Sequence, residues 1–315
     1  MKAIILKQFG GVENLSIAEC PIPAIMDDEV LVKIKSISIN PIDVKTRAGK
    51  GVSAQMKNHS PMILGWDFSG TIEATGMSVN YLKNGDQVFA MTRFPQPGKI
   101  YAEYAAVPAV ELALKPPDVS HDEAAAACLA ALTAWQLLTI YYKLNPGERV
   151  LIHAASGGVG HYAVQMAKHL GAYVIGTSSA ANRDFVLSLG ADEHIDYKEK
   201  PFEYVAKNID LVLDAIGGEY IDRSLKTIRK GGTIVNILAG PNDMIKEKAE
   251  AMGIQGFHMR VKPDGINMQE IADMMERKKL ISHLHKVFPF DEMANAHLQI
   301  ESGRTVGKVA LIVNN

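Results

Sequence analysis

Residues 149–171, RVLIHAASGGVGHYAVQMAKHLG, decide the fold. RVLIHAA is a short apolar run of the kind that forms a buried strand, and GVGHYAVQMAKHLG reads as a helix. Between them, HAASGGVG at 153–160 sets Ala155, Gly157 and Gly160 at the small-residue positions of a G-x-G-x-x-G loop. A loop that leaves a strand and opens a helix is the context in which this fingerprint binds a dinucleotide. Gly157 lets backbone approach a pyrophosphate, Gly160 lets helix and strand pack closely, and the free amides of the helix start supply the positive end. Alanine at 155 is compatible if that residue keeps a negative φ, because only positive φ demands glycine.

The same alternation continues downstream. AYVIGTS is a second strand, ANRDFVLSLG a second helix, and IDLVLDAIGG, EYIDRSLKTIRKGG and TIVNILAG extend the series. Strands alternating with helices of this length predict a doubly wound parallel sheet covered on both faces. Its cofactor is partly legible. An NAD site places a carboxylate at the end of the second strand to bind the ribose 2′-hydroxyl. Here that strand runs into IGTSSAANR with no acid before Asp184, and Thr177, Ser178, Ser179, Asn182 and Arg183 suit a 2′-phosphate. NADPH is therefore the expected cofactor, held by these residues and by Ser156, Gly157, Gly158, Val159 and Gly160.

Upstream, residues 1–118 read as short strands and turns. In EVLVKIKSISI, Val30, Val32 and Ile34 alternate with Leu31, Lys33 and Lys35, which predicts a strand with one wetter face. At DVSHDEAAAACLAALTAWQLL the pattern changes: Ser120 and Glu123 form an S-x-x-E capping box, and a long alanine-rich helix should follow until NPGE turns the chain. In the tail, Met268, Ile271 and Met275 share a helical stripe, and VGKVALIV is strand-like, which predicts that the C-terminus rejoins the first sheet. The expected organisation is a β domain over 1–118, a dinucleotide-binding domain over 119–263, and a return to the first domain over 264–315.

Composition narrows the class. Hydrophobic residues make up 47% and charged residues 22%, ordinary for a globular protein and against disorder. The 33 basic and 35 acidic residues show no basic run, which argues against nucleic acid and anionic membrane as partners. Cys20 and Cys128 are the only cysteines, too few for a disulfide framework or a cysteine-rich metal site, and they suit a reducing cytoplasm. No apolar run reads as long enough to span a bilayer. His283 and His285 form an H-x-H pair without a third ligand and read as a surface strand, and His153 as a hydrogen-bonded structural residue.

The series NPIDVKTRAG, LGWDFSGTIEATG, GDQVFA, LTAWQLL, LIHAASGGVG, LGADEHIDY, LDAIGGEY, KGGTIV and SGRTVGKVALIV resembles, in order and over nearly the whole chain, the motifs of the medium-chain dehydrogenase/reductase superfamily. The resemblance implies a GroES-like β domain with a Rossmann domain inserted into it and the active site in the cleft between. In the zinc alcohol dehydrogenases of that superfamily a cysteine, a histidine and a nearby glutamate hold the metal. Here Asn40 stands at the cysteine position, Lys45 at that of a following active-site histidine, and Gly65, Trp66, Asp67 where those relatives have Gly-His-Glu. An amide and an indole do not make a tetrahedral zinc site. The four structural cysteines of those relatives are also missing.

The resemblance is thus to the zinc-independent quinone oxidoreductase branch, which uses NADPH to reduce quinones or the C=C bond of α,β-unsaturated carbonyl compounds. INPIDVK, ending in lysine, looks closer to the enone and alkenal reductases. On this reading no metal is bound. Lys45 stabilises the developing enolate oxygen and Asn40 is a second donor, while Thr133 lies near the nicotinamide and Lys308 contacts the cofactor. A homodimer through the sheet edge near GIQGFHMRV is expected. Two other readings stay open: a non-catalytic NADPH-binding protein, since fold does not guarantee turnover, and an alcohol dehydrogenase, which the missing ligands oppose.

Overall fold

The computed structural model describes residues 1–238 and 244–313, so Ala239 and Gly240, the end of TIVNILAG, lie outside the described residues. The chain divides into two compact units, Met1–Leu132 with Lys262–Asn315, and Thr133–Val261.

The second unit carries the six-stranded sheet. Its spatial order is Glu193–Asp196, Tyr173–Ser178, Arg149–Ile152, Ile209–Asp214, Ile228–Asn236, Gln255–His258, and every pairing is parallel. The first strand in sequence lies inside the sheet, with later strands added to one side and then to the other. This 3-2-1-4-5-6 order makes the switch point fall between Arg149–Ile152 and Ile209–Asp214, where Rossmann sheets take their ligands. The expected parallel sheet is therefore present, buried on both faces: Leu151, Ile175, Val212 and Ile234 form its centre with Phe202 and Ile221.

The first unit is a GroES-like β fold. Its large sheet runs Leu284–Pro289, Lys308–Ile312, Glu29–Ile39, Asp67–Thr75, Gln87–Met91, Ala113–Leu114, with Tyr104–Pro108 also paired to Glu29–Ile39. The tail does return to this sheet, Val309 pairing opposite Ile39 in antiparallel register. Alternation in EVLVKIKSISI holds through Lys35, with Val30, Val32 and Ile34 buried and Leu31, Lys33 and Lys35 partly exposed. From Ser36 to Ile39 every residue is buried. The register shifts between Ile34 and Ser36, and the hydroxyls of Ser36 and Ser38 donate to Leu311 O and Val309 O, so this half is covered on both faces.

The capping box forms as expected: Glu123 N–H donates to Ser120 Oγ at 3.2 Å and Ser120 N–H to Glu123 Oε2 at 3.0 Å, opening the helix His121–Gln136. A π-turn over Leu137–Tyr141 prolongs it. The segment His121–Tyr141 is long and apolar enough to cross a membrane, contrary to the reading of the sequence, but 72% of its apolar window is buried inside the protein. Its alanines serve a core. Met268, Ile271, Met274 and Met275 are likewise buried on one face of the helix Gly265–Glu276.

Candidate active site

In the first unit, three adjacent strand ends converge. Asn40 follows Glu29–Ile39, Asp67 opens Asp67–Thr75 opposite Ser38, and Lys308 opens Lys308–Ile312. Since Val309 pairs with Ile39, the next step of the antiparallel register sets Lys308 beside Asn40. All three side chains are buried. Asn40 Nδ2 donates to Asp67 Oδ2 at 2.8 Å, and the Lys308 ammonium donates to Asn40 Oδ1 and, at 3.2 Å, to Ile39 O. Asp67 Oδ1 accepts the Leu129 N–H at 3.1 Å, so this carboxylate is bonded on both oxygens.

Asn40 also starts the short helix Pro41–Arg47, with Pro41 at the first position and the Asn40 N–H donating to Asp43 Oδ2 at 2.8 Å. That helix carries Asp43 inward. Burial, then the neighbouring Asp67, pushes the Asp43 carboxyl up to about 7; burial pushes Asp67 up to about 6 against the pull of Lys308. Burial lowers the Lys308 ammonium, and Asp67 and Asp43 oppose that shift. Two buried carboxyls thus share one buried cation.

A second line of polar groups runs outward. Gly65, at φ +93, leaves the space that the Tyr101 ring fills, since a Cβ there would fall 2.3 Å from Tyr101 Cδ1. The Tyr101 hydroxyl meets His297 Nε2 at 3.0 Å, Arg47 Nη1 lies 3.5 Å from His297 Nδ1, and Arg47 pairs with Glu301. Burial and the Arg47 charge push His297 down to about 3, so it is neutral at ordinary pH. Trp66 is fully buried, its indole N–H donating to Gln96 O at 2.8 Å and its ring edge-on to Phe94. Lys45 lies in the last turn of Pro41–Arg47 and is half-buried. Among the described residues, no three His, Cys, Asp or Glu side chains gather as a metal-binding group.

In the second unit the glycine loop has the shape the fingerprint requires. A Cβ on Gly160 would fall 2.2 Å from Ala154 O and 2.8 Å from Ala155 Cα, and one on Gly157 would lie 3.1 Å from Ala154 O. The left-handed residue is Ala154, at φ 51, and not Ala155, as the reading of that position requires. The helix Gly160–His169 then begins, and its first turn leaves backbone amides without helical partners. Ser156 lies in the loop, its Oγ accepting Asn182 Nδ2 at 3.1 Å.

The proposed phosphate contacts separate into two groups. Thr177 is buried, its hydroxyl 3.0 Å from His153 Nδ1, while His153 Nε2 meets Ser224 Oγ at 2.9 Å. Ser178 is buried too, its hydroxyl engaged with Ser179 O and His194 Nε2. Both therefore face inward, where the reading of IGTSSAANR has them offering hydroxyls to a ligand. Ser179 and Asn182 are partly exposed and Arg183 is exposed, its charge helping to lower His194 after burial. Thr133 is buried in the helix His121–Gln136.

Two family models match the chain. The alcohol dehydrogenase GroES-like domain matches residues 26–118, and the model described as zinc-binding dehydrogenase matches 189–311. The NAD(P)H oxidoreductase RTN4IP1, mitochondrial, of Danio rerio is 33% identical over 91% of this chain and 84% of its own length. The NADPH-dependent alkenal/one oxidoreductase, chloroplastic, of Arabidopsis thaliana is 32% identical over 99% of this chain and 79% of its own. The structure of the quinone oxidoreductase from Coxiella burnetii superposes with a TM-score of 0.95 at 34% identity, covering 100% of this chain and 99% of that one.

The chain belongs to the medium-chain dehydrogenase/reductase superfamily. Within it, the matches place the chain in the quinone oxidoreductase and alkenal reductase branch, a family of NAD(P)H-dependent oxidoreductases. Reading for the superfamily's motifs singled out Asn40, Lys45 and Lys308, but not Asp43, Tyr101, Arg47 or His297. One signal for Asp43 is local: Asn40-x-x-Asp43 has the spacing of a helix-start box. The Tyr101, His297 and Arg47 line joins residues 196 and 250 positions apart and leaves no such trace.

Proposed function

We propose that this protein is an NADPH-dependent reductase that transfers hydride to quinones or to the C=C bond of α,β-unsaturated carbonyl compounds, without zinc. The observation that carries this reading is the state of the groups standing at the zinc-ligand positions. Asn40 Oδ1 is engaged by an ammonium, the Trp66 N–H by a carbonyl, and Asp67 by two N–H donors. This donor set does not fit zinc, and the cation present is Lys308. Without a Lewis acid, polarising a simple alcohol is poorly supported, whereas conjugate reduction needs only a donor at the developing enolate oxygen.

The glycine loop does fit a dinucleotide, since Gly157 and Gly160 keep clear the space in which a Cβ would collide or crowd. When bound, the reduced nicotinamide supplies the hydride. Ser156, Gly158, Val159 and Gly160 hold the pyrophosphate by backbone amides and the helix start, while Gly157, whose N–H is given to Ala154 O, contributes the clearance that lets the phosphates approach. Ser179, Asn182 and Arg183 receive the 2′-phosphate, because Thr177 and Ser178 already spend their hydroxyls internally. Lys45 donates to the substrate oxygen as negative charge builds there, and the N–H of Asn40 not given to Asp67 is the second donor.

The test is NADPH oxidation, followed by absorbance, with a panel of enones, quinones and aldehydes. Turnover with enones or quinones is expected, and NADPH binding without turnover would refute the enzyme reading. Lys45→Ala should lower kcat with an enone about tenfold or more while leaving NADPH affinity within about twofold, the pattern of an interaction made in the transition state. Equal losses of both would remove its role.

A further inference from the structure

Asparagine carries its oxygen and its nitrogen on nearly identical branches, and its surroundings decide which points where. Around Asn40 that decision is made by charge. An ammonium has only donors and an ionised carboxylate only acceptors, so Lys308 must face Oδ1 and Asp67 must face Nδ2. A flipped amide would set N–H against ammonium and oxygen against carboxylate, losing two charge-assisted bonds in a buried place. After both are made, one N–H of Asn40 has no partner among the described residues.

We propose that Lys308 is a positioning residue that locks the Asn40 amide as a hydrogen-bond donor toward substrate, acting with Asp67 across three adjacent strand ends. The proposal rests on the reading of Asn40 as a donor in the reaction. It assigns Lys308 a task distinct from cofactor binding: the residue is 3% exposed, and among the described residues its ammonium donates only to Ile39 O and Asn40 Oδ1. Position supports it further. Lys308 lies 268 residues from Asn40 and reaches it only because the C-terminal strand pairs in this register, so the tail completes the site rather than merely closing the sheet. The cluster also holds a cost that packing alone would avoid, since an apolar side chain opposite Asn40 would spare the burial of an ammonium.

A double-mutant cycle on the full-length protein tests it. Lys308→Met should lower kcat with an enone about tenfold while NADPH affinity stays within about twofold. In an Asn40→Ala background the same change should lower kcat by less than about twofold, because residues acting through one group are not additive. Multiplying effects, or a loss of NADPH affinity of tenfold or more, would overturn the proposal in favour of a direct cofactor contact. Should Lys308→Met leave Asp67 an unpaired charge and fail to fold, the pair Lys308→Met with Asp67→Asn removes both charges together; it should fold yet stay about tenfold slow, and full activity would refute the lock. A readout independent of turnover separates this from the function itself: exchange of the Asn40 side-chain amide protons, read by NMR, should quicken at least tenfold in the charge-neutral pair, and unchanged exchange would refute the lock even in an active enzyme. Wild-type protein that binds NADPH but reduces nothing would defeat the proposed function, leaving the exchange measurement to judge the lock.

Discussion

Replacing Gly157 and Gly160 singly by alanine separates the two tasks of the loop. At Gly160 the new Cβ would stand 2.2 Å from Ala154 O and 2.8 Å from Ala155 Cα, both backbone atoms of the loop itself. Backbone cannot swing aside as a side chain does, so helix Gly160–His169 must move off the loop. Overpacking of this kind costs about 1–3 kcal/mol, which for a unit of this size lowers Tm by roughly 3 to 9 °C. The same shift pulls the helix start from the phosphates, and NADPH affinity should fall at least about tenfold, equivalent to roughly 1.4 kcal/mol.

Gly157 differs in degree. Its Cβ would lie 3.1 Å from Ala154 O, a crowding that a few tenths of an ångström relieve. Gly157→Ala should therefore leave Tm within about 2 °C of wild type, corresponding to well under 1 kcal/mol. Yet the methyl occupies the space that brings backbone to the pyrophosphate, so affinity should still fall about tenfold or more. Thermal unfolding without ligand and NADPH titration by fluorescence measure the two quantities independently. Wild-type affinity in a folded Gly157→Ala protein would refute the assignment of the loop, and an unchanged Tm in Gly160→Ala would refute the packing argument.

Arg183→Ala should weaken NADPH about tenfold and leave NADH unchanged in titrations; unaltered selectivity would remove the 2′-phosphate contact. Asp43 binds its proton with a pKa of about 7 in the folded chain against 3.8 as a free side chain, so its contribution is full below pH 3.8 and disappears as pH rises through 7. Accordingly, the Tm of Asp43→Asn minus that of wild type should rise between pH 5 and pH 8, and a constant difference would contradict the raised carboxyl. His297 behaves oppositely: pushed down from 6.5 to about 3, it supports the fold above pH 6.5 and loses that support as pH falls toward 3. His297→Gln should thus lose less Tm than wild type between pH 7 and pH 4.5. If the edge strand Gln255–His258 pairs with a second copy, light scattering should give a mass near twice 34.3 kDa, and a monomer would exclude that dimer.

The sequence was most informative where cause and effect lie close along the chain. The glycine loop, the Ser120 and Glu123 box and the strand-helix alternation are each set by neighbours within a few residues, and each is present. Periodicity failed at Ser36, because alternation records one wet face and from there on both faces of the strand are buried. Residue type alone also failed at Thr177: a hydroxyl near a cofactor loop suggests a ligand contact, but His153 beneath it takes that hydroxyl inward. The charged cluster lay furthest from view. Asn40, Asp67 and Lys308 are each visible as motif residues, yet what they do to one another depends on strand register, a long-range property that no local pattern encodes. The register converts three scattered polar residues into one buried unit, and on the proposed reading the Asn40 N–H that has no partner among the described residues is what links the fold to the chemistry. If the proposed lock holds, Lys308 bears on a reaction whose other parts were visible nearer the beginning and middle of the sequence.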